Sequence, residues 1–240
     1  MAGDRQVQQI QCFALNANLT VVFDFRTFKW SVLSPTRDPN QLNTENSTTD
    51  QSFPAIAGHS MAKWKNNIIV VAGNTRTSTS NKVSVWLINM ETNSWSSVDT
   101  YGKVPISRRE QSVSLIGSRL IMFGGEDNKR HLLNDLHILD LERMMWEEVK
   151  TEKGGPAPRY DHSAAVYADQ YLLIFGGSSH STCFTDLYLL DLQTMWPKLV
   201  PKAKDGDADC VKTHVFWNDH EPALVLLRGA FLFGVLHEER

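Results

Sequence analysis

The chain repeats itself at an interval of about fifty residues. Phe123-Gly124-Gly125 returns as Phe175-Gly176-Gly177, 52 positions on (176 − 124). An acidic residue and a tryptophan follow each doublet: Asp140 then Trp146, and Asp191 then Trp196. Self-similarity at this period marks an array of like modules. One such module is too small to bury its own apolar face, so it must stack on a neighbour built the same way.

The clearest unit spans residues 103–152. It contains Arg108, Gln111-Ser112, an apolar run at 113–116, a Gly117-Ser118 turn, a second run at 120–123 ending on the glycine doublet, a polar loop, a third run at 136–140 and a fourth at 146–149. Four short β-rich runs bounded by turn residues predict four strands. The unit at 153–201 copies it: Arg159 matches Arg108, His162-Ser163 matches Gln111-Ser112, and Asp186 matches Asp135. The unit at 54–102 is weaker, with Ile56 for the arginine, Ala72-Gly73 for the doublet and Asn89 for the aspartate, but it keeps Trp95. A half unit at 19–34 ends on Trp30 and lacks its first two strands. Residues 1–18 read as an N-terminal lead, 35–53 as a polar loop rich in Asn, Ser and Thr, and 202–240 as a divergent tail that breaks the repeat.

Each recurring residue has a physical reason. The doublets Gly124-Gly125 and Gly176-Gly177 supply positive φ where the second strand meets its neighbours. Asp140 and Asp191 are placed to accept backbone N–H groups in the turn joining the outer strands. Trp30, Trp95, Trp146 and Trp196 are large apolar bodies for packing between adjacent sheets. Four-stranded sheets stacked in this way predict an all-β propeller of about three and a half blades.

Composition narrows the function. A net charge of −3, with only the isolated pairs Arg108-Arg109 and Lys129-Arg130, gives no basic stripe for nucleic acid. The longest apolar stretch, 222–236, is too short to span a bilayer and contains Arg228. Three cysteines without CxxC spacing suit a reducing compartment, and no signal peptide is visible. The expected location is the cytoplasm, with the peroxisome as alternative, although the terminal Glu238-Glu239-Arg240 is no peroxisomal address.

The doublet, acidic residue and tryptophan follow the kelch pattern. The stretches FDFRTFKWSVLSPTRDPNQLN, LIMFGGEDNKRHLLNDLHILDLERMMWEEVK and APRYDHSAAVYADQYLLIFGGSSHSTCF resemble the kelch region of the plant acyl-CoA-binding proteins, over about residues 20–196. The resemblance implies a propeller that binds protein partners, alongside a separate helical domain that binds acyl-CoA esters. No acyl-CoA-binding residue has a counterpart here, so acyl-CoA binding is expected only through a domain absent from this chain. The repeat begins part-way through a blade and breaks after Trp196, as a truncated or alternative end would.

No catalytic chemistry is expected. Neither HExxH, P-loop nor GxSxG occurs, and no Glu is followed by Asp four positions on, the iron-binding step of nitrile-specifier-like kelch proteins. His180 with Cys183 lacks the second ligand pair that structural zinc needs. His59 and His162 recur at the repeat period and are expected to be structural. The expectation is therefore no cofactor, no metal and a non-enzymatic protein–protein interaction module. Acyl-CoA or lipid binding by the full-length protein is the first alternative, and a metal-dependent enzyme on the propeller the second. Candidate partner-binding residues are Arg108, Arg109, Glu126, Asp127, Arg159, Tyr160 and Asp161, charged and aromatic groups on loops over a rigid scaffold. One further expectation concerns the tail: a hairpin of 223–227 and 230–233 would supply the strands missing from the N-terminal half blade and close a four-bladed ring.

Overall fold

The computed structural model describes residues 10–15, 19–24, 29–39, 53–75, 80–150, 154–194, 196–200, 214–216, 223–227 and 232–235. They form strands and turns. An N-terminal sheet contains β1 (Ile10–Leu15), β2 (Leu19–Asp24) and β3 (Lys29–Leu33), followed by the two-residue β4 (Thr36–Arg37). Blade one contains β6 (Ser60–Trp64), β7 (Asn67–Val71), β9 (Val85–Asn89) and β10 (Ser94–Val98), with β5 (Ile56–Ala57) paired to β8 (Asn74–Thr75) beside it. Blade two contains β13 (Ser112–Ile116), β14 (Arg119–Asp127), β15 (Leu132–Asp140) and β16 (Met145–Val149), with β11 (Tyr101–Gly102) and β12 (Arg108–Arg109) at its margins. Blade three contains β17 (Ser163–Tyr167), β18 (Tyr171–Phe175), β19 (Leu187–Asp191) and β20 (Trp196–Val200). A last sheet holds β21 (His214–Phe216), β22 (Ala223–Leu227) and β23 (Leu232–Val235). Pairing inside every blade is antiparallel, and the first strands β6, β13, β17 and β21 lie side by side in that order.

Both faces of the middle blade are buried, which is why its strands read as unbroken apolar runs. Side chains alternate along β14. Leu120 and Met122 pack toward blade one with Ile69, Val71, Val85, Leu139 and Trp146. Ile121 and Phe123 point the other way, onto Leu172, Ile174 and Leu190 of blade three. Each such residue, wholly buried, contributes about 2 kcal/mol.

The repeated turn works as its residues predict. Asn89, Asp140 and Asp191 each accept two backbone N–H bonds through one side-chain oxygen, from Glu91 and Thr92, from Glu142 and Arg143, and from Gln193 and Thr194, at 2.8–3.3 Å. Trp95 and Trp146 are buried between sheets, while Trp30 and Trp196 lie in β3 and β20. The indole N–H of Trp146 reaches no hydrogen-bond acceptor among the described residues, because the ring is sunk among aliphatic side chains.

Four features depart from the sequence expectation. β14 runs through the glycine doublet rather than stopping at it, with a bulge between Phe123 and Gly125; positive φ at both glycines bends the strand without ending it. The N-terminal sheet gains β1, so it is one strand short of a blade rather than two. Two short strands also cross to cover the outer edge of the following sheet. β4 pairs in parallel with β10, and β11 with β16, satisfying backbone groups that an open edge would expose. Since β4 corresponds to β11, the extra length of the Trp30–Trp95 interval (65 against 51) falls after β4, mostly on 40–52, outside the described residues. Finally, β22 pairs with β21 and β23 with β22, and none of the described strands there pairs with β1–β3. Consecutive strands meet more readily than distant ones, so β22 and β23 extend the row instead of repairing its start.

Candidate functional site

The site is built on the end of the blades where the glycine doublets lie. Directly beneath it sit two identical clamps. Arg108 is wholly buried; its Nε–H donates to Ile106 O at 3.1 Å, Nη1 to Gly124 O at 3.1 Å, and the guanidinium grips both oxygens of Asp135 at 2.5 and 2.8 Å. Arg159 repeats every bond: Ala157 O, Gly176 O and both oxygens of Asp186. Burial tends to raise the Asp135 carboxyl, but hydrogen bonds from His137 and Arg108 outweigh it and hold the group well below the usual carboxylate range. Blade one has neither partner: Ile56 stands at the arginine position and Ser84 at the aspartate position, 51 before Asp135. Losing both together leaves no buried charge unpaired.

Arg108 and Arg159 are thereby removed from the partner-facing set. A guanidinium with no exposed surface and four of its five N–H groups on acceptors has nothing to offer a second molecule. Their main chains matter instead, because the carbonyl of each accepts the N–H of the second glycine in the preceding blade: Gly73 to Arg108 O and Gly125 to Arg159 O, both 2.9 Å. A side chain at Gly125 would come within 2.7 Å of Arg109 O, and at Gly177 within 2.7 Å of Tyr160 O.

A second seam runs one step further up. Gly58, Glu110 and Asp161 occupy the same place in successive blades, all with φ between 54° and 70°. Glu110 N–H donates to Gly58 O at 2.7 Å, and Asp161 N–H to Glu110 O at 3.1 Å. The next residue locks the seam with its side chain. Gln111 donates to Ser60 Oγ at 3.2 Å and Val71 O at 3.2 Å, and His162 Nε2 lies 2.8 Å from Ser112 Oγ. Burial, with Arg159 close by, pushes the His162 imidazole down to about 3, so the ring is neutral. Of the two periodic histidines, His162 locks the seam between blades, a position its spacing did not make legible.

Above the seam the chemistry stops repeating. Arg109 corresponds to Ala57 and Tyr160, and Glu126 to Asn74 and Ser178, so among blades one to three the pair exists in blade two alone. Glu126 is 3% exposed. Its Oε2 accepts both Nε (3.1 Å) and Nη2 (2.7 Å) of Arg109, and its Oε1 accepts Nε of Arg130 at 3.3 Å. Burial pushes the Glu126 carboxyl up; the two guanidiniums more than offset that and leave it below its ordinary value. The hydrogen bond to Glu126 in turn raises Arg109. His180 of blade three joins the cluster, its Nε2–H donating to Arg130 O (2.9 Å), and its ring leans on Tyr160 at 6.0 Å. Asp127 is occupied within its own hairpin, where it accepts the N–H groups of Lys129 and His131 and bonds the His131 ring.

Of the sequence candidates, the structure brings Arg109, Glu126 and Tyr160 together, places Asp161 in the adjacent seam, and turns Asp127 inward. Arg130 and His180 join them unannounced, since nothing in a repeat alignment marks residues that only meet across a blade boundary. No group of three or more His, Cys, Asp or Glu is placed to hold a metal among the described residues. His180 is engaged with Arg130, and Cys183 is disulfide-bonded.

Four-stranded antiparallel blades, stacked on their first strands and carrying glycine doublets at one end, define a kelch-type β-propeller. The chain belongs to the kelch-repeat family: residues 58–220, more than half of it, match the KLHDC2/KLHL20/DRC7 Kelch-repeats domain. It is similar to acyl-CoA-binding domain-containing protein 5 of Arabidopsis thaliana, 45% identical over 192 residues that make up 78% of this chain and 28% of that protein. It is equally similar to protein 4 of the same plant (45%, covering 78% and 27%), and it is 48% identical to protein 6 of Oryza sativa subsp. japonica over 67% of this chain and 24% of that one. The chain thus spans about a quarter of the length of these relatives.

Proposed function

We propose that the chain is a non-enzymatic kelch interaction module that holds a protein partner on the loop face of blades two and three. The observation that carries this is the cluster around Glu126. A buried carboxylate fixes two guanidiniums on a rigid sheet end, with Tyr160 and His180 alongside. Arginine and aromatic side chains on a preorganised surface are the groups that dominate protein interfaces. The test is site-specific photo-crosslinking in plant extract, with the crosslinker at Tyr160 or, on the opposite end of the blade, at Glu142. A discrete protein adduct from position 160 and none from 142 is expected. Adducts that do not depend on the position would remove the loop face from consideration.

Acyl-CoA binding, named for the plant relatives, is assigned to the whole protein and not to this kelch stretch. Titration of the chain with a long-chain acyl-CoA is expected to show no saturable binding. A site of micromolar affinity or better would overturn the assignment.

A further inference from the structure

Cys183 is exposed and belongs to a disulfide. It stands at the neck of a tight loop in blade three. Ser178 and Cys183 pair across that neck, Ser178 Oγ lies 3.8 Å from Cys183 Sγ, and Phe184 N–H donates to Gly177 O at 2.8 Å. Inside the loop, Ser179 N–H donates to Thr182 O at 2.7 Å and Ser179 Oγ accepts Thr182 N–H at 3.0 Å. The loop thus holds Cys183 in one place at the surface. The chain has three cysteines, so the second sulfur of the bond is that of Cys12 or Cys210.

The repeat frame separates the two. β21 begins 51 residues after β17 (214 − 163), β22 begins 52 after β18 (223 − 171), and β21 lies beside β17. In that frame Cys210 takes the position of Arg159, 51 residues on (210 − 159). The Arg159 main chain is tied to the blade before it: its N–H donates to Leu133 O at 3.1 Å, and its carbonyl accepts Gly125 N–H at 2.9 Å. The counterparts of Leu133 and Gly125 in blade three are Phe184 (184 − 133 = 51) and Gly177 (177 − 125 = 52). Both belong to the neck that carries Cys183. Cys12 stands in β1, which among the described strands pairs with β2 alone, and no repeat offset carries it to blade three.

We infer that Cys183 and Cys210 form a redox-controlled staple between blade three and the tail sheet, opened by a protein dithiol. One thiolate of the dithiol attacks Sγ of Cys183 and expels the Cys210 sulfur, which takes up a proton. The second thiol then displaces the Cys183 sulfur in the same way. Two electrons and two protons pass to the staple, and the dithiol leaves as a disulfide. An exposed disulfide is within reach of such exchange, and in a reducing compartment a disulfide serves to sense redox state rather than to brace a fold. The same loop carries His180, whose ring bonds Arg130 O of blade two. Opening the staple leaves that loop held from one side.

The experiment maps disulfides in the intact chain and follows amide hydrogen exchange by mass spectrometry. In oxidised glutathione, non-reducing digestion should yield one linked peptide pair, containing Cys183 and Cys210, with Cys12 as a thiol. Reduced thioredoxin should return three thiols and speed exchange in residues 214–227 about tenfold, leaving residues 112–149 unchanged. Cys183→Ser should exchange at the reduced rate in either buffer, and Cys12→Ser should keep the full response. Reduction of the unaltered chain gives the same contrast without any substitution. Linkage of Cys183 to Cys12, or three thiols in oxidised glutathione, would overturn the pairing. A staple that thioredoxin leaves closed, or equal exchange of residues 214–227 in both states, would overturn the redox control.

Discussion

Arg108 and Arg109 are chain neighbours with opposite lives. Arg108 has no exposed surface and is bound to Asp135 in an arrangement that Arg159 and Asp186 reproduce one blade on. The Arg109 side chain is 36% exposed and is paired with Glu126 in an arrangement that occurs in no other described blade. Alternation along β12 sends one side chain into the blade and the other to the rim. The clamp layer ties the glycine-doublet end of blades two and three together in the same way, so it recurs there. The rim is free of that constraint, so it varies. In a repeat protein, periodicity marks the residues that build the scaffold, and its interruption marks those available to a partner.

Perturbing the two layers should separate them by size of effect. Removing one clamp partner is the most severe change. Arg108→Ile strips the partly buried Asp135 of its guanidinium, leaving His137 as its remaining partner, and should cost about 3 kcal/mol in denaturant unfolding. Adding Asp135→Ser installs the pair that blade one already uses, Ile56 with Ser84, and should recover part of that loss. A double change as costly as the sum of the single ones would show that the clamp is not a unit.

Gly125→Ala comes next. A methyl group would meet the Arg109 carbonyl in a backbone of φ 96°, at a cost of about 2 kcal/mol. The seam gives a third, pH-dependent contrast. His162 is depressed to about 3 when folded, against 6.5 unfolded. The unfolded chain therefore takes up a proton first as pH falls. The stabilisation is complete above about pH 6.5 and is lost at up to about 1.4 kcal/mol per pH unit on the way to pH 3. His162→Gln, the residue of blade two, should flatten that part of the stability–pH curve; an unchanged slope would exclude His162 as its source. Asp140→Ala removes a turn cap worth about 1 kcal/mol, visible as a small shift in the denaturation midpoint. Arg130→Ala, on the rim, should alter stability by less than about 0.5 kcal/mol while losing the partner. A stability loss as large as that of Arg108→Ile would erase the distinction between the layers.

Much of the fold was legible because it is local. The four runs of each blade, the turn carboxylates and the packing tryptophan follow from residue type and spacing within about fifty positions. The candidate site was only half legible. Repeat alignment made Arg108 and Arg159 conspicuous, and conspicuous charge on a loop suggested a partner. The same regularity was in fact the signature of a buried clamp. A signal was available in Asp135 and Asp186: an acidic residue repeating at the same offset from each arginine, and replaced together with it in blade one. Arg130 and His180 carried no such signal, being 50 positions apart and joined only where two blades abut.

Sequence by itself determined the module, its strands and its turns, since these depend on alternation and backbone preference inside one repeat. The tertiary structure alone decided three things: which of two adjacent arginines is buried, that Glu110 and Asp161 hold left-handed backbones to stitch blades together, and that β4 and β11 cover the edges of blades one and two. The reason is common to all three. Each depends on what the following blade presents across the boundary, and a chain read one repeat at a time does not contain its neighbour.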